Sequence, residues 1–401
     1  MESEEVFYLA ALARCPGFGS RWLQKLLRGF RTPARIWQAS AEDLVMTGCL
    51  SSRLSQKLAE FRRAEPALPE QLQHACEQAG IGLCSLAEAD YPNILKEIFD
   101  PPMVLYYRGI LQHDAVRVAM VGSRRFTPYG EGISLEFAER LAAAGLTIVS
   151  GAARGIDTSA HKGALKSGRT IAVLGCGVDV VYPSENRRLL QQIVSAGGAV
   201  ISEYGPGTQP LPAFFPARNR IISGLSQGTL VVEAARRSGS LITAEMALSE
   251  GRDVFAVPGS IYSGTSQGCN HLIQQGAKLV QTPSDILEEY GLAAPPLRKV
   301  RPKLTPEERQ VWQVLSFEHP LSIDEIICSL PDGELSNLAF VLLQMEMKGL
   351  IIENELHAYR RAERESRFGC SSNENQDESK GENQDKENPG HCRVTGESED
   401  H

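Results

Sequence analysis

The sequence predicts an α/β protein built on an extended Rossmann-like, doubly wound sheet, with a small helical domain before it and a winged helix after it. Three observations predict this. Between residues 115 and 290, short strand-like runs alternate repeatedly with helix-patterned runs, the signature of βα units around a parallel sheet. The strand runs are apolar almost throughout, as expected where helices cover both sheet faces. Residues 303–360 carry two Ser/Thr-x-x-Glu capping signatures and end in a hairpin-like pattern.

Taken in order, residues 1–64 read as short helices of the SAM or helix-hairpin-helix kind. Val6, Leu9, Ala10 and Leu12 recur at helical spacing, and so do Trp22, Leu23, Leu26 and Leu27. Between them Cys15-Pro16-Gly17-Phe18-Gly19-Ser20 is a turn ending in a candidate N-cap serine. A second helical pair is expected over 41–61. Such a glycine turn can hold a nucleic-acid backbone through its N–H groups, although a small packing domain explains the same pattern. Residues 65–114 read as a connector with some strand. Tyr91-Pro92 and Asp100-Pro101-Pro102 are extended or turning segments, and 103–107 is a short strand.

Within 115–290 the expected strands are 116–121, 146–150, 170–174, 199–203, 229–232 and 253–257, with a further one at 278–281. The expected helices are 130–144, 156–167, 185–196, 219–225, 241–249 and 270–275. Residues 291–302, with Pro295, Pro296 and Pro302, form a semi-rigid linker. In the winged helix, Thr305 with Glu308 and Ser322 with Glu325 open two helices. A third spans 335–348 and ends at Gly349, and strands 350–353 and 356–359 pair across Asn354-Glu355. Residues 361–401 are polar and acidic with almost no large apolar residues, a composition expected to be disordered.

Charge is distributed unevenly. The formal net charge is −8, but 115–290 holds 16 Lys and Arg against 14 Asp and Glu. Residues 303–360 hold 4 against 10, and residues 361–401 hold 6 against 11. The central domain is therefore mildly basic, and the overall balance misrepresents it. No apolar run approaches the roughly 20 residues that span a bilayer, so no membrane association is expected. The acidic N-terminus has the wrong sign for a secretory signal. Nine scattered cysteines without a C-x-x-C pair argue for reduced thiols, a cytoplasmic location and no zinc. Neither a cofactor nor a metal is expected.

Two strand-to-turn junctions attract attention first. Residues 117–125 read R-V-A-M-V-G-S-R-R and residues 146–157 read L-T-I-V-S-G-A-A-R-G-I-D. Exposed N–H groups and an arginine at such turns make anion sites. The first junction is not a dinucleotide fingerprint, because Gly122 is followed by Ser123, Arg124 and Arg125 rather than a second glycine. The second strand ends in Ser150-Gly151 with no ribose-binding carboxylate. Positive charge and a hydroxyl stand where glycines would be, which suits phosphate oxygens; Arg124 can equally pair with a carboxylate of the same domain.

Three other stretches offer paired readings. Cys176 between Gly175 and Gly177 has no sequence-local partner to lower its pKa, which favours a small buried thiol over a nucleophile. In Phe214-Phe215-Pro216-Ala217-Arg218-Asn219-Arg220 the aromatics can stack bases and the arginines hold phosphates. One phenylalanine is expected to plug the core instead, and the arginines can form salt bridges. Glu233 closes a strand at the sheet edge where ligands bind; it can serve as an acid, a ribose ligand, or an anchor for Arg124, Arg154 or Arg220.

Together these motifs resemble the DNA-processing protein DprA (Smf) family. The matching runs are V-G-S-R at 121–124, S-G-A-A-R-G-I-D at 150–157, T-I-A-V-L-G at 170–175 and Y-P-S-E-N at 182–186. They continue with F-P-A-R-N-R-I-I-S-G-L-S at 215–226, the run from Glu233 to Ala244, and A-V-P-G at 256–259. The resemblance covers essentially 91–290, and the flanking helical and winged-helix parts match a common family arrangement. It implies a non-catalytic mediator that binds single-stranded DNA, passes it to the RecA recombinase during natural transformation or recombination, and forms a homodimer through the sheet domain. It also implies that Gly122, Ser123 and Arg124 form the main phosphate clamp. Gly151, Arg154, Gly155, Phe215, Arg218, Asn219 and Arg220 complete the expected DNA-binding set. Where relatives would carry a basic residue just before the F-P pair, this chain has Pro212 and Ala213. The acidic winged helix is expected to contact protein rather than duplex DNA. The competing reading is a nucleotide-processing enzyme similar to the LOG-type phosphoribohydrolases. Their P-G-G-x-G-T-x-x-E motif is only partly matched by Gly224-Leu225-Ser226-Gln227-Gly228-Thr229, with Glu233 one residue late.

Overall fold

Alternation along the strands decides which face each side chain feeds. Val118 and Met120 enter one apolar layer while Ala119 and Val121 enter the opposite one. Each buried side chain of this kind contributes about 1.5–3 kcal/mol relative to exposure. The computed structural model describes residues 4–111, 116–293, 304–316, 319–330, 337–354 and 357–361. It divides into two units, Met1–Leu297 and Arg298–His401.

In the first unit six helices lead: α1 (Glu5–Ala13), α2 (Ser20–Phe30), α3 (Pro33–Gln38), α4 (Ala41–Met46), α5 (Ser52–Ala64) and α6 (Leu68–Ala79). The N-cap of α2 is Gly19 rather than Ser20; the Ser20 hydroxyl instead donates to Asp100. Strand β1 (Gly82–Ser85), helix α7 (Asn93–Lys96) and strand β2 (Val104–Gly109) follow. The strand expected at 103–107 thus belongs to the main sheet, together with a partner the sequence pattern did not reveal. Then come β3 (Arg117–Val121), α8 (Pro128–Ala143), β4 (Thr147–Ser150), α9 (Ile156–Ala164), β5 (Thr170–Val173), α10 (Arg187–Ser195) and β6 (Ala199–Ser202). Helix α11 (Phe214–Gly224), β7 (Gly228–Val231), α12 (Gly239–Ser249), β8 (Asp253–Ala256), α13 (Gln267–Gln274), β9 (Lys278–Leu279) and α14 (Pro283–Glu289) complete the unit. Helix α11 starts five residues before the expected 219. Pro216 fits there because first-turn N–H groups have no partner inside a helix.

The nine strands lie in the order β1-β2-β6-β5-β4-β3-β7-β8-β9. Strands β3 to β9 run parallel, while β2 joins β6 antiparallel and β1 joins β2 antiparallel. The chain winds from β3 outward to β6, then returns to place β7 on the other side of β3. That reversal is the topological switch point, the place where open α/β sheets bind ligands. Helices α7, α11, α12 and α13 cover one face. On the other, α8, α9 and α14 cover the β3–β8 side, and α10 with the leading helices covers β2, β5 and β6 through Val104, Tyr106, Ala172 and Val200.

The second unit contains α15 (Pro306–Val314), β10 (Leu321–Ser322), α16 (Ile323–Ser329), α17 (Leu338–Met347), β11 (Ile351–Glu353) and β12 (Ala358–Arg361). Both expected capping boxes form, at Thr305–Glu308 and Ser322–Glu325. Strand β12 lies between β10 and β11, so three helices and a small sheet make a winged helix. Glu355 and Leu356, the linker beyond residue 293 and the tail beyond 361 lie outside the described residues.

Candidate nucleic-acid interface

The turn after β3 is fixed before any ligand arrives. The Ser123 N–H donates to the Glu233 carbonyl at 2.7 Å, and the Ser123 carbonyl accepts from the Ile156 N–H at 3.2 Å. The Ser123 hydroxyl bridges the Arg125 N–H (3.1 Å) and carbonyl (2.5 Å). The Thr127 N–H donates to Glu233 Oε2 at 2.9 Å, and Thr127 caps α8 by accepting from the Gly130 N–H. Glu233, only 2% exposed, therefore ties the end of β7 to the turn after β3. It anchors backbone rather than any of the three arginines considered for it.

Two glycines let this turn dock against the next one. A Cβ on Gly122 would lie 2.6 Å from Ile156 Cγ1. Gly155 has φ +86°, and a Cβ there would lie 2.3 Å from the Ser123 carbonyl oxygen, so only glycine fits.

Arg124, at the tip, is exposed. Its guanidinium lies 5.7 Å from the centre of the Phe215 ring, within cation–π range. Among the described residues no carboxylate pairs with it. Phe215 is half-buried and contacts Tyr182, with ring centres 5.4 Å apart and planes inclined by 39°. Phe214 instead stacks on Tyr204 at 4.1 Å; both phenylalanines are half-buried, and neither plugs the core as expected.

The structure corrects four of the expected contacts. Arg218 is 4% exposed and donates to the Gly151 carbonyl at 2.6 Å and to the Val173 carbonyl. It binds the ends of β4 and β5 together and cannot reach a solvent phosphate. Burial lowers its pKa to about 10, with Asp157 opposing the shift. Gly151 is buried; its N–H donates to Asp157 at 3.2 Å and its carbonyl accepts from Arg218. Gly155 is buried beneath Ser123. Arg220 is held between Glu203 at 2.5 Å and Asp100 at 3.4 Å, so its charge is already matched.

Arg154 remains at the surface, paired with Glu185, also exposed, at 2.6 Å, an exchangeable contact. Asn219 is half-buried on α11 between the two internal arginines. Cys176 is a buried thiol donating to the Val180 carbonyl, its pKa pushed up to about 11 by burial. Tyr182 was absent from the expected set; only its place in Y-P-S-E-N hinted at it.

Below the turn, Thr127, Tyr129, Glu233, Gly259, Ser260, Ser263 and Ser266 line a pocket of about 350 Å³. Among the described residues, no three His, Cys, Asp or Glu gather as metal ligands, and no helix is long and apolar enough to cross a membrane.

An extended Rossmann-like sheet with a preformed, arginine-tipped turn at its switch point defines the class, a doubly wound α/β protein. Comparison with known proteins narrows the class. A family model described as DNA recombination-mediator protein A matches residues 82–291. The DNA processing protein DprA of Streptococcus pneumoniae is 53% identical over 208 residues, which are 51% of this chain and 73% of that one. Protein Smf of Synechocystis is 37% identical over 318 residues, or 78% and 79% of the two chains. An X-ray structure of DNA processing protein A from Streptococcus pneumoniae aligns with TM-score 0.61 at 41% identity, covering 71% of this chain and 97% of that chain. The chain belongs to the DprA/Smf family of DNA-processing proteins.

Proposed function

We propose that this protein binds single-stranded DNA through the Gly122-Ser123-Arg124 turn and acts as a non-catalytic recombination mediator that helps load RecA. The observation that carries the reading is Arg124: an exposed guanidinium on a rigid turn, against an aromatic ring and with no carboxylate partner among the described residues. Phosphate on the guanidinium with a base beside Phe215 is the combination that sequence-tolerant single-strand binders use. Arg154, released from Glu185, and Asn219 extend the contact.

Family membership supports DNA processing, natural transformation and a cytoplasmic setting. The open sheet edge at β9, where Leu279 is 43% exposed, offers a surface for a homodimer. In the winged helix, Phe340, Leu343 and Met347 are exposed on α17 within an acidic sequence, which favours a protein partner over a duplex groove.

The test is a titration with single-stranded DNA, duplex DNA and a nucleotide competitor, using wild type and Arg124→Ala. Single-strand binding that weakens in the variant supports the clamp. Unchanged binding in the variant, or displacement by a nucleotide at stoichiometric concentration, overturns it.

A further inference from the structure

We propose that Tyr182 is a base-stacking residue, forming with Phe215 a two-ring platform beside Arg124; this rests on the single-strand reading above. Tyr182 is 45% exposed, although it touches a half-buried aromatic and sits in a loop held tightly from below. Asn186 fixes that loop by donating to the Ala152 carbonyl and the Thr158 hydroxyl, both at 2.9 Å. Phe215 is seated against Gly175, where an added Cβ would come within 3.1 Å of its ring. Phe215 is therefore positioned against backbone, and Tyr182, in contact with it, keeps much of its surface in solvent.

The order Arg124, Phe215, Tyr182 follows from the two ring contacts, 5.7 Å and then 5.4 Å. A backbone phosphate on Arg124 leaves the rings on the side toward which bases extend. The 39° inclination suits bases splayed apart rather than a continuous helical stack. Duplex DNA keeps its bases paired and offers no such faces, so the platform discriminates strandedness where Arg124, a phosphate reader, does not.

The experiment measures affinity by fluorescence anisotropy for a labelled oligothymidylate across a salt series, using wild type, Tyr182→Phe, Tyr182→Leu and Arg124→Ala. Each protein is also titrated with oligonucleotides carrying one abasic site at successive positions. Stacking on one aromatic predicts about a tenfold loss for Tyr182→Leu, near-wild-type binding for Tyr182→Phe, and an unchanged salt slope because no charge is removed. At one position, an abasic site weakens wild type but adds nothing to the Tyr182→Leu defect. Equal affinity of Tyr182→Leu and wild type overturns the proposal, and so does an abasic effect that is fully additive at every position. The abasic arm on wild type reads base contacts even if a variant folds poorly. Failure of Arg124→Ala to change the salt slope would instead strike the underlying single-strand reading.

Discussion

The turns after β3 and β4 look alike in sequence, each a glycine junction followed by an arginine, yet they use their polar groups in opposite ways. After β3, internal bonds go through backbone and through Ser123 and Glu233, which leaves Arg124 outward. After β4, Asp157 accepts from the Gly151 N–H (3.2 Å) and the Ala153 N–H (3.4 Å), and Arg218 takes the Gly151 carbonyl. Burial raises the Asp157 pKa, and Arg218 opposes the rise. A motif arginine thus reports on ligand binding only when nothing inside the fold has already claimed it.

Substitutions sharpen that contrast. The largest effect belongs to Arg218→Ala, which leaves buried carbonyls and Asp157 uncompensated. Loss of one partner from a buried charged arrangement costs about 3–5 kcal/mol, so chemical denaturation should find the protein severely destabilised, and equal stability would break the contrast.

A pH effect of similar origin comes from His161 on α9. The Thr170 hydroxyl donates to the Ile148 carbonyl, so it accepts from His161 Nδ1–H at 2.7 Å. Nε2 is left buried with no partner among the described residues. Burial, helped by Arg218, lowers the His161 pKa from 6.5 to about 3. Between those values the unfolded chain binds the extra proton and the folded one does not, so stability falls as pH falls through that window. Melting curves should show this acid-side loss in wild type and a smaller one in His161→Gln.

Gly155→Ala comes next. Its φ of +86° and the close Ser123 carbonyl predict a loss of about 1–3 kcal/mol, together with weaker DNA binding because the β3 turn must shift. Arg124→Ala should leave the melting temperature unchanged. It should lower the single-strand salt slope by about 0.7, the value of one phosphate contact. Arg154→Ala should be smallest, since an exposed ion pair contributes about 0–1 kcal/mol; differential scanning fluorimetry should barely separate it from wild type.

The sheet was legible because buried parallel strands leave near-continuous apolar runs, and the winged helix because Thr305 and Ser322 stand three residues before glutamates. Strand β1 was not, since Gly82-Leu83-Cys84-Ser85 carries no period of its own and is a strand only by pairing with β2. Arg124, expected to clamp phosphate, stands exposed at the tip of its turn. Arg218 was misread because its acceptors lie 67 and 45 residues away along the chain, and Arg220 because it pairs with Glu203 and Asp100 only in three dimensions. Tyr182 was passed over because solvent exposure of an aromatic is a property of the packed surface.

The bond from the Thr127 N–H to Glu233 has a kinetic consequence. A turn already locked to β7 has no folding step to complete when a strand arrives, so encounter should proceed at a rate set by diffusion and ionic strength. Variation among mutants should then appear mainly in how long the complex lasts. Cutting the latch with Glu233→Ala, which removes the acceptor of the Thr127 N–H, should reverse that division: the loosened turn has to be reassembled at each encounter, and arrival rather than departure becomes the slow event.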